Sequence, residues 1–283
     1  MSRLIFGQTG QVAQELARRA PEATYLSRDD ADLSDPAACA EAIRAHAPNV
    51  VINAAAWTAV DKAEEEETAA TTINAQAPGA MAEACAALKI PFLHVSTDYV
   101  FDGSGSAPWT EGAATAPLGA YGRSKLAGEV AIAAAGGSHA ILRTAWVFSA
   151  HGGNFVKTML RLAETRDALS IVEDQIGGPT WAGHIAEALL AIADAFEAGK
   201  GHTGIYHFAG EPHISWAGFA AEIFAQAGKS VTITGIPSED FPTPAARPKN
   251  SRLDCTKLAR DYGIAAPDWH QGLAATLKEL ESA

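Results

Sequence analysis

Short apolar runs alternate with alanine-rich, amphipathic stretches over the first half of the chain. The runs are rich in branched and aromatic residues and end at small or polar ones, as buried strands do. Between them, apolar positions recur at helical spacing. The predicted strands cover residues 2–7, 23–27, 50–54, 92–96 and 139–144, and the predicted helices cover 10–19, 36–46, 68–88 and 121–135. This alternation favours right-handed βαβ units and a parallel sheet.

The pattern becomes less regular beyond residue 145, where a proline-rich stretch runs from Pro237 to Pro248. Helices are predicted over 154–165, 181–197, 215–228 and from about 270, and strands near 170–172, 204–208 and 231–235. The predicted fold class is α/β, a Rossmann-type doubly wound parallel sheet with a smaller C-terminal substrate-binding lobe. We expect residues 1–150 to form the sheet domain, residues of about 170–210 to return to it, and 151–283 to form mainly the lobe.

Composition narrows the possible partners. The 283-residue chain carries a net charge of −12, which argues against nucleic-acid or membrane-surface partners, so an anionic ligand would need a local cationic pocket. Neither a signal-peptide pattern nor a transmembrane-length apolar run is present, and the predicted location is cytoplasmic. The three cysteines (Cys39, Cys85 and Cys255) lie far apart without metal-binding spacing and are expected to be inert buried thiols.

A glycine-rich turn joins the first predicted strand to the first predicted helix, with the pattern Gly7-x-x-Gly10-x-x-Ala13. Glycines there allow a tight turn and let a pyrophosphate approach the amides at a helix amino end. We therefore predict a dinucleotide site that includes Gly7, Gly10, Gln11 and Val12.

Two further segments fit a dinucleotide. Arg28 follows the second strand, where an arginine can accommodate a ribose 2′-phosphate; the acidic residue typical of a strict NAD binder is absent there. Asp29 and Asp30 lie just beyond, so NADPH is the predicted cofactor and NADH stays possible. The remaining predicted contacts are Asp32 and Leu33 at the adenine edge, and Asn53, Ala54, Ala55 and Ala56 as a floor beneath the cofactor.

Tyr121 and Lys125 stand four residues apart in the helix predicted over 121–135. Residues at this spacing share one helix face, although the same spacing also occurs on solvated helices. A neighbouring ammonium favours the phenolate, so we expect Lys125 to lower the pKa of Tyr121 from its usual value of about 10. Such a phenol can serve as a general acid or base. A hydroxyl in Ser96-Thr97-Asp98, at the end of the fourth strand, can bond the same substrate oxygen.

With these features in this order, the chain resembles the extended short-chain dehydrogenase/reductases. Within that group it resembles the dTDP-4-dehydrorhamnose reductases. The blocks that carry the resemblance cover residues 6–12, 53–64, 96–102, 117–129, 143–147, 154–159, 174–180 and 247–253. The resemblance implies reduction of dTDP-4-dehydro-L-rhamnose to dTDP-L-rhamnose with NADPH or NADH.

The resemblance also implies roles for individual residues. Thr97 and Tyr121 would be catalytic and contact the substrate, and Lys125 would complete the pair and hold the cofactor ribose with Tyr121. Asp98 and Trp146 would contact the sugar. The residues implied at the nucleotide end of the substrate are Asn154, Arg247 and Asn250.

Some relatives dimerise through magnesium held by glutamates. Glu15 and Glu279 match two of those positions, but no carboxylate stands near residues 181–183. A hard cation requires several oxygen ligands, so we predict no metal and a monomer or weak homodimer. The run Glu64–Glu67 is expected to be a solvated helix start, favoured by the helix dipole.

Two rival functions stay open. A sugar-nucleotide epimerase or 4,6-dehydratase would keep the Tyr/Lys pair and glycine turn. A dehydratase needs a further acid–base pair, however, and Asp98 is followed by Tyr99 rather than a second carboxylate. The other rival is a non-catalytic NADP-binding subunit that regulates a partner enzyme.

Overall fold

The computed structural model describes residues 2–282. In that range the strands are β1 Arg3–Phe6, β2 Thr24–Leu26, β3 Val50–Asn53, β4 Phe92–Thr97, β5 His139–Thr144, β6 Val147–Phe148, β7 Ala168–Val172, β8 Ile176–Gly177, β9 Thr180–Trp181, β10 Gly204–His207, β11 Ile214–Ser215, β12 Thr232–Ile236 and β13 Asn250–Ser251. The α-helices are α1 Gln11–Arg19, α2 Pro36–His46, α3 Val60–Glu65, α4 Glu67–Thr71, α5 Ala77–Leu88, α6 Ala120–Ala134, α7 Phe155–Leu162, α8 Ala182–Glu197, α9 Trp216–Gln226, α10 Thr256–Tyr262 and α11 Trp269–Glu281.

The main sheet confirms the predicted fold class. Its order is β2-β1-β3-β4-β5-β10, and each neighbouring pair is parallel. The chain passes from β1 to one side for β2 and to the other side for β3, so the strand order reverses beside β1. Ligands of open α/β sheets bind outside the carboxyl ends of the strands at such a reversal. The fold therefore directs attention to the ends of β1, β3 and β4.

Helices cover both faces of this sheet. On one face, α1 and α8 pack together over a core that includes Ile5, Leu16 and Leu189. On the other face, α2 and α5 pack against each other over Ile43 and Met81. The helix α8 and the strand β10 thus belong to the main sheet layer although they follow residue 180.

C-terminal elements outside the sheet build a third apolar cluster. Helices α7, α9 and α11 surround Phe219, Trp269 and Leu273, and the parallel pair β7–β12 flanks them. Within residues 2–282, no helix combines the length and apolar character needed to cross a bilayer.

The long helix predicted over 68–88 is interrupted. A π-helical turn, Thr72–Gln76, separates α4 from α5. Within it, Asn74 is fully buried, and its amide bonds the Trp57 backbone in both directions and the Ser124 hydroxyl of α6. Single π-helical turns of this kind occur inside α-helices, frequently at functional sites.

The expectation for the glutamate run is wrong for Glu64. Glu64 and Glu65 end α3, and the Glu64 carboxylate accepts a hydrogen bond from the Ala120 backbone N–H at 2.8 Å. Glu64 thus caps the amino end of α6, whose own N-cap, Gly119, has no side chain to do so. Asp35 caps α2 with its own side chain, since its carboxylate accepts from the Ala37 and Ala38 N–H groups at the start of that helix.

Candidate active site

A cavity of about 900 Å³ lies at the carboxyl ends of β1, β3 and β4. It brings together residues that are widely separated in the sequence. The predicted site residues that line it are Gly7, Gly10, Gln11, Val12, Arg28, Asp32, Leu33, Ala54, Ala55, Ala56, Thr97, Asp98, Tyr121, Lys125, Trp146 and Asn154. A single cavity therefore spans the glycine turn and the Tyr/Lys pair.

The glycine turn leaves the amino end of α1 free for an anion. Gly7 has φ +114°, in the region that favours glycine, and its N–H donates to the Leu26 carbonyl at 2.9 Å. Gly10 precedes α1, and no described side chain caps the helix there. The first N–H groups of α1 therefore lie at the wall of the cavity and have no side-chain hydrogen-bond partner, as a pyrophosphate site requires.

Arg28 lies at the far end of the same cavity and is exposed. The neighbouring Asp30 carboxylate accepts from the Ser27 N–H at 2.8 Å and from the Ser27 hydroxyl at 2.6 Å. The hydrogen bonds of Asp30 are thus made within its own loop. Arg28, which follows β2 by two residues, is the first cationic residue after that strand.

Tyr121 reaches the end of β4 because α6 packs closely on the turn that follows that strand. A Cβ on Gly122 would lie 2.3 Å from the Tyr99 carbonyl oxygen, so only glycine permits this approach. The Tyr121 and Tyr99 rings meet edge to face at 5.4 Å. The Thr97 hydroxyl lies beside the Tyr121 phenol.

The predicted lowering of the Tyr121 pKa is wrong for the unliganded protein. Burial raises the pKa of Tyr121 to about 12, and the Thr97 hydroxyl only partly opposes this shift. Lys125 does not offset the burial because its amine is turned inward, donating to the Val95 carbonyl at 2.7 Å. The phenol is therefore protonated at neutral pH, which suits a proton donor rather than a base.

Lys125 is itself strongly affected by its surroundings. It is 1% exposed, and burial lowers the pKa of its amine to about 8, although the Glu129 carboxylate acts in the opposite sense. Its Nζ also lies 2.9 Å from Nε2 of His94, a residue that sequence reasoning did not single out.

Thr97 and Asp98 share a hydrogen bond at the cavity wall. The Thr97 hydroxyl donates to Asp98 Oδ1 at 3.1 Å and accepts from the Tyr99 N–H at 3.2 Å. Asp98 is 2% exposed, and burial raises the pKa of its carboxyl to about 6. Its buried Oδ2 accepts no hydrogen bond of ordinary geometry among residues 2–282, although the Ser251 side chain lies close enough to oppose the rise in pKa.

Trp146 is held in an uncommon conformation. Its φ is +49°, a left-handed value that a bulky residue rarely adopts. Trp216 stacks on it with ring centroids 3.5 Å apart, and a Cβ on Gly177 would lie 2.7 Å from the Trp146 ring. Trp216 was missed because no sequence spacing links it to Trp146. Together they form a rigid apolar wall.

Asn154 and Gln11 line the cavity, but their side chains bond each other. Asn154 Nδ2 donates to Gln11 Oε1 at 3.0 Å, and Asn154 Oδ1 caps α7 by accepting from the Lys157 N–H at 3.2 Å. This hydrogen bond therefore links the amino end of α1 to the amino end of α7. We find no free polar atom on Asn154 that supports a direct substrate contact.

Three residues predicted to contact the cofactor or the substrate do not line this cavity. Asn53 is buried, and its amide bonds His94 and the Ala55 N–H. Asn250 is also buried and donates to the carbonyls of Ser104 and Ala107.

The third, Arg247, forms a two-pronged ion pair with Asp61 at 2.8 and 2.9 Å. The resemblance implied ligand contacts for Arg247 and Asn250, and the strand end implied one for Asn53, whereas all three side chains bond protein partners in this structure.

The magnesium positions form a different cluster from the one in the family pattern. Glu15, His151 and Glu279 bring one ligand atom each within 4.8 Å of one another. However, Arg18 forms a two-pronged hydrogen-bonded pair with Glu279, and Arg19 pairs with Glu15 at 2.5 Å. Of the two carboxylates, Glu15 Oε1 alone accepts no hydrogen bond. A magnesium ion takes several oxygen ligands, so this set does not fit it. His151 was missed because it lies far from both glutamates in the sequence.

The strand order, the glycine turn and the Thr97, Tyr121 and Lys125 side chains at one cavity define a short-chain dehydrogenase/reductase. Comparison with known proteins narrows this class. The family model described as the RmlD substrate binding domain matches residues 1–282.

Curated dTDP-4-dehydrorhamnose reductases match the chain over nearly its whole length. The one from Sinorhizobium fredii is 44% identical over 280 residues, covering 96% of this chain and 95% of the relative. The one from Escherichia coli K12 is 40% identical over 293 residues, covering 99% and 98%. The chain belongs to the dTDP-4-dehydrorhamnose reductase family.

Solved structures agree. A dTDP-4-dehydrorhamnose reductase from Clostridium acetobutylicum superposes with a TM-score of 0.92 at 36% identity, covering 99% of this chain and 100% of that one. The Bacillus anthracis enzyme, solved in complex with NADP, also gives 0.92, at 31% identity, covering 98% and 99%.

Proposed function

We propose that the protein reduces the C4 carbonyl of dTDP-4-dehydro-L-rhamnose to give dTDP-L-rhamnose, with NADPH as the preferred reductant and NADH as an alternative. The observation that carries this proposal is the single cavity that joins an uncapped helix amino end to Thr97, Tyr121 and Lys125. Family membership supports the substrate and the cofactor.

The residues at the glycine turn fit a pyridine dinucleotide. The free N–H groups of α1 would bind the pyrophosphate, Ala54–Ala56 would form the floor, and Arg28 would meet a 2′-phosphate. When bound, reduced nicotinamide supplies the hydride. Lys125 and Tyr121 line the cavity where the ribose next to the nicotinamide is expected.

Tyr121 is the proposed proton donor. Its raised pKa keeps the proton on the phenol until an alkoxide develops on the substrate oxygen. Thr97 is placed to donate to the same oxygen, because its hydroxyl lies beside the phenol and can turn from Asp98 Oδ1 when substrate binds. Asp98, whose Oδ2 accepts no hydrogen bond of ordinary geometry, is the proposed partner for a sugar hydroxyl. Trp146 is proposed to pack against the sugar ring.

We propose that residues 1–150, together with α8 and β10, bind the cofactor, and that the rest of 151–283 mainly binds the substrate. The Trp146–Trp216 stack lies where the two meet, since Trp216 begins α9. A monomer or weak homodimer is proposed, because the Glu15 cluster is already neutralised by arginines of the same chain.

The test of the function is loss of NADPH absorbance when the 4-keto sugar nucleotide is added. We expect stoichiometric consumption and formation of the reduced sugar nucleotide. Product formation without net NADPH consumption would instead favour an epimerase or dehydratase. Tight NADPH binding without turnover would favour the regulatory subunit.

The buried Asp98 gives the reaction a predicted acid limit. With a pKa of about 6, Asp98 becomes protonated below that pH, so its negative charge is lost and one of its oxygens becomes a donor. We expect kcat/KM for the sugar nucleotide to fall below about pH 6, since kcat/KM reports groups of the free enzyme. In Asp98→Asn this acid limb should disappear and kcat/KM should be lower at all pH values. An unchanged acid limb in that variant would assign the limb to another group.

Arg28 provides a test of cofactor choice. We expect Arg28→Ser to raise KM for NADPH by about tenfold, equivalent to 1.4 kcal/mol, with little change for NADH. The matched control is Arg44→Ser, because Arg44 is an exposed arginine on α2 that does not line the cavity. Equal losses for both cofactors in Arg28→Ser would argue against a 2′-phosphate contact.

A further inference from the structure

A hydrogen-bonded chain of three buried side chains lies directly behind the proposed active site. Asn53 ends β3, His94 lies opposite it on β4, and Lys125 projects from α6. Each is 1% exposed. Asn53 Nδ2 lies 3.1 Å from His94 Nδ1, and His94 Nε2 lies 2.9 Å from Lys125 Nζ. Of the three, Lys125 alone lines the cavity.

The first link fixes the direction of the chain. The Ala55 N–H donates to Asn53 Oδ1 at 3.1 Å, so the carbonyl side of the amide is turned toward Ala55. The NH2 side therefore faces His94. An amide nitrogen can only donate, so Nδ1 of His94 has to accept this hydrogen bond.

The second link follows from the first. A neutral imidazole carries one proton, and with Nδ1 as an acceptor that proton must be on Nε2. The Nε2–H then points at Lys125 Nζ. An ammonium has no lone pair to accept it, whereas a neutral amine can accept it and still donate to the Val95 carbonyl at 2.7 Å.

We propose that His94 is a positioning residue for Lys125. Asn53 holds His94 in the Nε2–H tautomer, and His94 then donates a hydrogen bond to the Lys125 amine. This hydrogen bond stabilises the neutral, deprotonated form of Lys125. The direction agrees with burial, which lowers the pKa of Lys125 to about 8 and that of His94 well below its usual value.

Other charged groups around Lys125 do not produce this effect. Glu129, one turn further along α6, raises the pKa of Lys125, and it is paired with Arg143 of β5 at 2.6 Å. Tyr121, one turn before, stays neutral over most of the pH range. His94 is thus the titratable group that β4 places within hydrogen-bond distance of the amine.

The consequence rests on the proposed function. After Tyr121 has protonated the substrate, its phenolate must regain a proton. Lys125 lines the same cavity one helical turn away. It can lose an N–H proton to a bridging hydroxyl, which at the same time passes its own proton to Tyr121 and so forms the new O–H bond. The neutral amine that remains accepts the His94 N–H, and solvent later returns the proton. His94 would therefore make Lys125 a stronger acid for this step.

Nuclear magnetic resonance of the unliganded protein can test the arrangement. We would label histidine ring nitrogens and lysine side-chain nitrogens with ¹⁵N, and assign the two signals by their loss in His94→Gln and Lys125→Met. In the wild type we expect His94 to show a protonated Nε2 and an unprotonated Nδ1. Lys125 should titrate near about 8.

Three variants separate the hydrogen-bond effect from simple packing. His94→Gln can accept from Asn53 with its oxygen and donate to Lys125 with its nitrogen, so it should keep the low Lys125 pKa. Asn53→Ala removes the hydrogen bond that fixes the His94 tautomer and adds no charge. Asn53→Asp places a carboxylate there, which can only accept, so His94 Nδ1 has to carry a proton. In both Asn53 variants we expect His94 to carry a proton on Nδ1 and the pKa of Lys125 to rise by about one unit.

The same shift should appear in kinetics. The limb of the kcat pH profile that belongs to Lys125 should move upward in Asn53→Ala and Asn53→Asp, and stay in place in His94→Gln. A proton on Nδ1 in the wild type, or an unmoved Lys125 pKa in both Asn53 variants, would overturn the inference. So would an equal rise in His94→Gln. These signals in a protein that does not oxidise NADPH would contradict the proposed function alone.

Discussion

Replacing Tyr121 with phenylalanine is expected to lower kcat by about 10²–10⁴-fold, the range associated with general acid–base catalysis. The affinity for NADPH should change little, because the ring and its packing against Tyr99 are retained. The physical reason is the loss of the O–H that would protonate the developing alkoxide. Steady-state kinetics with the 4-keto sugar nucleotide gives kcat, and titration of NADPH fluorescence gives the dissociation constant.

Tyr99 offers a matched control for this variant. It lines the same cavity and contacts Tyr121, and burial raises its pKa above the usual range. Tyr99→Phe removes an equivalent hydroxyl from the same wall and should reduce kcat far less. If Tyr121→Phe retained wild-type turnover, or if the two variants lost activity equally, Tyr121 would not be the donor.

The largest predicted effect on stability comes from Arg143→Met. Arg143 and Glu129 form a buried, two-pronged ion pair at 2.6 and 2.9 Å, with side chains 3% and 2% exposed. The Ser96 hydroxyl also donates to Glu129, and the Phe101 ring packs against the guanidinium. Removing the arginine leaves a buried carboxylate without its cation. We expect a loss of about 3–5 kcal/mol in the free energy of unfolding.

Urea denaturation of the unliganded protein at neutral pH provides the measurement, provided unfolding is two-state. The control is the double variant Arg143→Met/Glu129→Gln, which removes both charges and should lose less stability than Arg143→Met alone. A loss of only about 0–1 kcal/mol in Arg143→Met would place the pair with exposed salt bridges and contradict its assignment as a buried one.

The parts of the fold that local pattern determines were predictable. The buried strands β1, β3, β4 and β5 match their apolar runs, and Asp35 with Pro36 marks the start of α2. The two-residue strands β6, β8, β9, β11 and β13 were not predicted, because so few residues carry no periodicity. They exist only through pairing with distant segments, as β6 does with β9.

The site shows the same division. The glycine turn and the Thr97, Tyr121 and Lys125 set converge as predicted, because they follow strand ends or share one helix face. The side-chain directions could not be predicted. Lys125 turns toward His94 rather than shifting the phenol, and Asn53 bonds within the protein.

The orientations of two other side chains depend on partners from distant segments. Arg247 pairs with Asp61, which stands far from it in the sequence, and Trp216 stacks on Trp146. Such partners are chosen by packing between segments, which a single sequence does not display.

In the proposed reaction, hydride passes from the nicotinamide to C4 of the sugar nucleotide in the cavity beside the glycine turn. This transfer can be followed with NADPH that carries deuterium at nicotinamide C4, prepared separately for the two faces. We predict that one of the two preparations transfers a single deuterium to sugar C4, detected by mass spectrometry and proton NMR of the product. Product without deuterium from either preparation, or with deuterium at another carbon, would rule this reaction out.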